Sequence, residues 1–166
     1  LLSRKRRFGC SCKMKTVSTE DTKIESFEPG KPEFEVENKA HSHPWSWTVF
    51  SQSVGEHYRC RRLTQGSQVI GFTICQRVAD ELTLHNIAVD PSFQGRGYGN
   101  KLMQDLLDYA SDHQYVVFLE VRVSNSAAIR LYEQNGFDTV GRRLNYYPLD
   151  GGREDALVMR WSRQQD

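Results

Sequence analysis

The sequence predicts an α/β protein, a sandwich of helices on a mixed sheet. Three observations carry that expectation. The two kinds of element interleave along the chain: helices, three strands, helix, strand, helix, two strands. Leu102, Met103, Leu106, Leu107 and Ala110 recur at helical spacing. Residues 116–123 are an apolar run interrupted only by Glu120 and Arg122, as a strand buried on both faces would be.

Each element has a local reason. A helix is expected from Lys31 or Pro32 through Phe34, Val36 and Ala40, because proline suits a first helical turn, and Pro44 closes the region. Ser46 is placed to cap a short second helix through Trp47, Val49 and Phe50. Residues 57–64 and 68–78 are rich in β-branched and aromatic residues around Gln65-Gly66-Ser67, which reads as a hairpin. A third strand spans 82–89 and stops at Asp90-Pro91. After the helix around Leu102–Ala110 and the strand at 116–123, Ser124 or Asn125 caps a helix over 126–135. Ala128, Leu131 and Tyr132 lie on its inner face, and Gly136 ends it. Residues 137–147 and 154–161 form a last pair of strands around Asp150-Gly151-Gly152. Residues 20–37 carry seven acids, with Pro29, Gly30 and Pro32 among them, and no strand is placed before the first helix.

Length and composition narrow the class. A chain of 166 residues with 38% hydrophobic and 26% charged content suits one globular domain with a sizeable core. No apolar run reaches the ~20 residues that cross a bilayer, and no secretory signal is recognisable, so a cytoplasmic protein is expected, with its four cysteines reduced. Residues 1–13 hold Arg4, Lys5, Arg6, Arg7 and Lys13 and no acid, while the remaining chain holds all 21 acids and is mildly acidic. Met14 follows the basic stretch. Residues 1–13 are therefore expected to be a disordered or non-native tail, and residues 14–162 the domain. An acidic body favours a basic substrate and argues against nucleic-acid binding by the body.

The most informative stretch is Val89-Asp90-Pro91-Ser92-Phe93-Gln94-Gly95-Arg96-Gly97-Tyr98-Gly99-Asn100-Lys101, between a strand and a helix. A helix start presents unpaired N–H groups at the positive end of its dipole, and glycines let a polyanion come close to them. Arg96 or Lys101 would add charge. This is the physics of a pyrophosphate site, although the glycines alone are equally those of a flexible turn. Gly99 is not followed by the Lys-Ser/Thr of a Walker loop, and Asn100 replaces the third glycine of a dinucleotide fingerprint.

Gln94-Gly95-Arg96-Gly97-Tyr98-Gly99 resembles the Q/R-x-x-G-x-G/A loop of the GCN5-related N-acetyltransferase (GNAT) superfamily. Asn125-Ser126-Ala127-Ala128-Ile129-Arg130-Leu131-Tyr132-Glu133-Gln134-Asn135-Gly136-Phe137 is similar to that family's N-x-x-A-x-x-L-Y-x-x-x-G-F block. His43-Pro44-Trp45-Ser46, residues 86–91, Leu119-Glu120-Val121-Arg122, Asn145-Tyr146-Tyr147-Pro148 and Gly152-Arg153-Glu154-Asp155-Ala156 resemble one branch, the bacterial ribosomal-protein-alanine N-acetyltransferases (RimI). The resemblance covers about residues 15–161. It departs at His43, where an aromatic residue is expected, and over residues 18–35.

The resemblance implies a GNAT fold, with a mostly antiparallel sheet and splayed strands that hold acetyl-coenzyme A. It implies direct attack of an amine on the thioester, without metal or acyl-enzyme. Gly95, Arg96, Gly97, Tyr98, Gly99 and Asn100 would take the pyrophosphate. Ile87, Ala88 and Val89 would offer strand backbone to the pantetheine arm, and Asn125 would bond the coenzyme. Glu120, inside an apolar strand where desolvation would make it a stronger base, would accept the amine's proton. From the strand alone a structural pair with Arg122 is the better reading, and the match of Leu119-Glu120-Val121-Arg122 to the family reverses that order. Tyr132 would protonate the leaving thiolate, or is simply a core tyrosine. Asn125 also reads as a plain cap. Trp45, Tyr146, Asp150 and Glu154, with Tyr147 and Asp155, are candidates for a peptide groove, or ordinary surface and core residues. Cys10-x-Cys12 with His41-x-His43 imitates a zinc site, but the two pairs are far apart in sequence and no metal is expected.

Proton energetics favour one acceptor. An α-amine has a pKa of ~7.7–8.0 and lysine ~10.4, so deprotonation at pH 7 costs roughly 1 against roughly 4.6 kcal/mol. A single glutamate suits the first. The resemblance then implies the N-terminal alanine of small-subunit ribosomal protein number eighteen as substrate, and a monomer is expected. Acetylation of lysines or of a small amine is the alternative, and a regulatory coenzyme A-binding module without turnover a further one.

Overall fold

The structure is a computed structural model, and it describes residues 21–163. The strands are β1 (Thr22–Ser26), β2 (Tyr58–Gln65), β3 (Gln68–Val78), β4 (Glu81–Val89), β5 (Val116–Arg122), β6 (Asp138–Leu149) and β7 (Gly152–Trp161). The helices are α1 (Lys31–Ala40), α2 (Trp47–Ser51), α3 (Tyr98–Asp112) and α4 (Ser126–Gln134). They form one seven-stranded sheet in the order β1-β2-β3-β4-β5-β7-β6. Every pairing is antiparallel except β4 with β5.

Helices cover both faces. On one, Met103, Leu106, Leu107 and Ala110 of α3 and Tyr132 of α4 pack against Leu82, Leu84, Val117, Leu119, Val121 and Met159. On the other, Val36 and Phe50 meet Phe72, Ile74, Cys60 and Ala88. Helix α2 has only five residues, too few to be stable alone. It persists because Phe50 is fully buried, 5.4 Å from Phe34 and 5.5 Å from Phe72 between ring centroids. That burial contributes roughly 1.5–3 kcal/mol. Ser46 caps it by accepting from the Val49 N–H.

Two expectations need correction. Residues 22–26, read as lacking a strand, form edge strand β1. It pairs with β2 from Thr22↔Gln65 to Ser26↔Arg61, and Glu25 binds Arg62 at 2.6 Å. Cross-strand pairing and charge complete a strand that Thr22 and Ile24 alone signal too briefly. The last hairpin is also longer than expected: β6 reaches Leu149 and β7 starts at Gly152, so the loop shrinks to a tight turn in which Gly151 has φ +80°. Residues 1–13, including the basic tail and the Cys10–Cys12 pair, lie outside the described residues. Among the described residues no helix is long and apolar enough to cross a membrane.

Candidate active site

The site begins with a fork in the sheet. β4 and β5 pair only from Glu81↔Val116 to Leu84↔Leu119. Beyond that point β4 stays with β3, through Gly71↔Val89, and β5 stays with β7, through Arg122↔Ala156. The cause lies in the β3–β4 register, which steps from Ile74↔Asn86 to Cys75↔Leu84 and leaves His85 as an extra residue. A bulge of this kind bends its strand and raises its twist. Residues 85–89 and 120–122 therefore part, and a cleft of about 790 Å³ lies between them.

The glycine loop closes one end of the cleft. Gly95 and Gly97 have φ of +75° and +84°, left-handed conformations that only glycine adopts cheaply. Gly97 is the N-cap of α3, and no side chain caps that helix. The N–H groups of its first turn are thus left to bind an anion. Gly99 is close to α4: an added Cβ would stand 3.4 Å from Leu131 Cδ2. The Gln94 amide donates to the Val89 carbonyl at 2.9 Å and fixes the loop to β4.

The cleft brings together Ile87, Ala88, Val89, Gly95, Gly97, Tyr98, Gly99, Glu120, Asn125, Tyr132 and Trp45 of the expected site. Within this group Tyr98 contributes backbone, since its ring is buried with Leu63, Ile70 and Leu102. Asn125 acts as the α4 cap, accepting from the Ala128 N–H at 3.2 Å. Arg96 and Asn100 do not line the cleft: Arg96 lies over the Phe93 ring at 5.4 Å, and Asn100 accepts from Asn135 at 2.8 Å. Lys101 bonds Thr22 on β1. Asp150 sits exposed in the β6–β7 turn, away from the cleft. Glu154 binds Arg122 at 2.8 Å, and that guanidinium holds its carboxyl below the usual range. Asp155 accepts from the Asn145 N–H and pairs with Arg142, which likewise depress it.

Glu120 does not pair with Arg122. Its carboxylate is 24% exposed and meets Arg143 of β6 at 2.5 Å. It also bonds the Tyr146 hydroxyl, an interaction that raises the Tyr146 pKa. The apolar surroundings expected of Glu120 are thus replaced by a cation and a phenol. Tyr147 donates its hydroxyl to the Glu120 carbonyl at 3.2 Å, and burial pushes its pKa up to about 12. Tyr132 is buried beside Phe137, with ring centroids 5.8 Å apart, and burial pushes its pKa far above the usual value. The phenol therefore stays protonated at any physiological pH.

Sequence reasoning missed several cleft residues. Glu37 is 1% exposed and accepts from the Trp45 N–H at 2.8 Å and the Asn86 amide at 2.9 Å. His41 Nε2 stands 3.1 Å from Asn86 Oδ1. Glu37 falls three residues after Phe34 and next to Val36, a carboxylate on the apolar face of α1, and that placement was the available signal. His85, exposed on the cleft rim, also lines the cleft, and partial desolvation by its surroundings lowers its pKa. Nothing in the sequence marked the bulge that puts it there.

Residues 22–137 match the acetyltransferase (GNAT) family. The chain belongs to the GNAT family. Among GNAT relatives, the ribosomal protein bS18-alanine N-acetyltransferase of Escherichia coli (strain K12) is 46% identical over 127 residues, covering 76% of this chain and 86% of the relative. The enzyme of the same description from Haemophilus influenzae is 46% identical over 128 residues, covering 76% and 87%. The crystal structure of the ribosomal-protein-S18-alanine N-acetyltransferase from Escherichia coli superposes with a TM-score of 0.81 at 41% identity, over 87% of this chain and 96% of that one. A GNAT acetyltransferase from Elizabethkingia anophelis with acetyl-CoA bound shares the fold, with a TM-score of 0.73 at 20% identity over 87% of this chain and 99% of that one. The GNAT fold and the RimI branch expected from the motifs are those found.

Proposed function

We propose that this protein moves the acetyl group of acetyl-coenzyme A to the α-amine of an N-terminal alanine, with small-subunit ribosomal protein eighteen as its substrate. One observation carries the reading: the forked cleft places the uncapped start of α3, the open backbone of β4, Glu120 and Tyr132 in a single continuous space. The names of the relatives supply the acceptor.

Acetyl-coenzyme A supplies an activated thioester. Its pyrophosphate is assigned to the first-turn N–H groups of α3, with Gly97 and Gly99 keeping that approach free of side chains. The amide-bearing arm is assigned to the free edge of β4 at residues 85–89. Glu120 takes the amine's proton. Because an α-amine needs only roughly 1 kcal/mol to deprotonate at pH 7, a carboxylate already shared with Arg143 and Tyr146 is sufficient. Tyr132 faces the departing sulfur. Even an ordinary phenol at ~10 is a weaker acid than a thiol at ~8.5, an uphill transfer of roughly 2 kcal/mol. Burial raises that difference, so Tyr132 stabilises the thiolate by donating a hydrogen bond rather than by giving up its proton first.

The test is a basic peptide that begins with alanine and carries one internal lysine, incubated with acetyl-coenzyme A and mapped by tandem mass spectrometry. Acetyl on the α-amine, lost in Glu120→Gln, is the expected result. Acetyl on the lysine alone overturns the acceptor, and undiminished transfer by Glu120→Gln overturns the base.

A further inference from the structure

Helix α1 buries two glutamates, Glu33 and Glu37, each 1% exposed. Their surroundings differ. Glu33 binds Arg62 of β2 at 3.1 Å, outside the cleft, as a structural ion pair. Glu37 has no Arg or Lys partner among the described contacts, and it lies on the cleft wall. Oε1 accepts from the Trp45 backbone N–H, and Oε2 accepts from the Asn86 amide and faces His41 Nε2 at 3.4 Å. Since Asn86 gives its amide to Glu37, its carbonyl is the acceptor for His41, which fixes the proton on Nε2. A carboxylate can accept on both oxygens at once. An amide in the same place presents a donor on one side and so needs Asn86 and His41 to turn.

The three partners come from two places that must keep register. Trp45 and His41 belong to the segment between α1 and α2, which lines the same cleft as Glu120 and Tyr147. Asn86 is the β4 residue directly after the bulge at His85. We infer that Glu37 is a positioning residue for the acceptor: its buried carboxylate clamps segment 41–46 to β4 just past the fork and so sets the width of the acceptor half of the cleft. The inference rests on the acetyl-transfer reading for its kinetic consequence, but not for its structural one. Glu37 is assigned no contact with a reacting atom. It acts through Trp45 and Asn86.

The experiment compares Glu37→Gln and Glu37→Ala with Glu33→Gln, a control of equal burial on the same helix. Acceptor KM, acetyl-coenzyme A KM, thermal unfolding and amide hydrogen exchange of residues 41–46 are measured on the full chain. Glu37→Ala is expected to raise the acceptor KM by about tenfold to a hundredfold, the upper end being the effect of a misplacement of about 1 Å, with Glu37→Gln intermediate and the acetyl-coenzyme A KM unchanged. Exchange at 41–46 accelerates in the same order. Glu33→Gln lowers the unfolding temperature without moving the acceptor KM. If Glu37→Ala fails to fold, Glu37→Gln against Glu33→Gln decides the matter. The inference is overturned if both KM values move together, if the Glu33 variant matches the Glu37 variants, or if exchange at 41–46 is unchanged. Transfer by the wild type to lysine alone, or to nothing, would sink the α-amine reading and leave the exchange result standing.

Discussion

Gly71→Ala tests whether the coenzyme half of the cleft depends on close packing beneath it. Gly71 lies in β3 opposite Val89. A Cβ there would stand 2.8 Å from the Ala88 carbonyl oxygen and 3.1 Å from Leu102 Cδ1. Comfortable separations are about 3.3–3.6 Å to a carbonyl oxygen and about 3.5–4.0 Å between carbons, so both contacts are short by roughly half an ångström. Neither neighbour can yield cheaply: Ala88 O is backbone, and Leu102 is fully buried in α3. Overpacking of this kind costs about 1–3 kcal/mol. Removing a glycine from the unfolded chain returns about 0.4–1 kcal/mol. The net is a destabilisation of roughly 1–2 kcal/mol, which lowers Tm by about 2–8 °C in a domain of this size. Both displaced groups belong to β4 and α3, the elements to which the coenzyme is assigned under the proposed function. The acetyl-coenzyme A KM should therefore rise while the peptide KM does not. Calorimetry and initial rates read the two effects. An unchanged or higher Tm together with an unchanged acetyl-coenzyme A KM would refute the argument.

Three more outcomes follow from the geometry. Glu120→Gln should lower kcat by about 10²–10⁴, the usual contribution of a general base, with both KM values retained; a loss smaller than about tenfold would remove Glu120 from that role. Gly97→Ala, at φ +84°, should cost about 1–2 kcal/mol in stability and weaken acetyl-coenzyme A binding. Gly99→Ala meets only an ordinary 3.4 Å contact and should be the milder of the two in a melting and binding comparison, so the reverse order would contradict the assignment. Alkali should destabilise the fold. Burial raises Cys60 to about 11, Cys75 to about 12, Tyr147 to about 12, and Tyr132 beyond them. In the unfolded chain these groups titrate near ~8.5 and ~10. A raised folded pKa gives stability that is complete below the unfolded value and is lost as pH climbs through the folded one. The urea midpoint should thus fall between pH 8 and 11, and Cys75→Ala should flatten that fall; a midpoint that holds or rises would count against these burial effects.

What the sequence disclosed depended on how local the cause was. The α3 register was legible because Leu102, Met103, Leu106, Leu107 and Ala110 repeat on one face, and all five are buried. The loop before it was legible because glycines at 95 and 97 answer to backbone conformation alone. β1 was not, because Thr22–Ser26 offers only two strand formers, Thr22 and Ile24, in five residues, and is held by its pairing with β2 and by Arg62 on Glu25. The partner of Glu120 shows the same limit. Arg122 stands two residues away, so proximity favoured it, yet its guanidinium goes to Glu154 and over the Tyr147 ring at 4.4 Å. Arg143 arrives through the β6–β7 hairpin, where the register slips between Arg143 and Tyr147 and Asn145 takes φ +51°. Asp150 was chosen for its charge, and the tight turn carries it away from the cleft.

The fork itself explains why one extra residue at His85 has such reach. A sheet opened in its middle leaves backbone N–H and C=O groups without ladder partners, which costs free energy if they are buried dry. Here they face a cleft of about 790 Å³ that water enters, so the cost is deferred until a ligand displaces that water. A ligand with its own amides can then replace the missing strand bond for bond, a recognition that needs no particular side chain on β4. Pairing between β4 and β5 ends at Leu84↔Leu119, and Glu120 is the first residue of β5 beyond it. Its position is therefore set by where the ladder breaks. The carboxylate proposed as the base shares one cleft with α3 and β4 and with Trp45 and Tyr147. Moving the bulge by one residue would separate the carboxylate from the junction that gives it access to both.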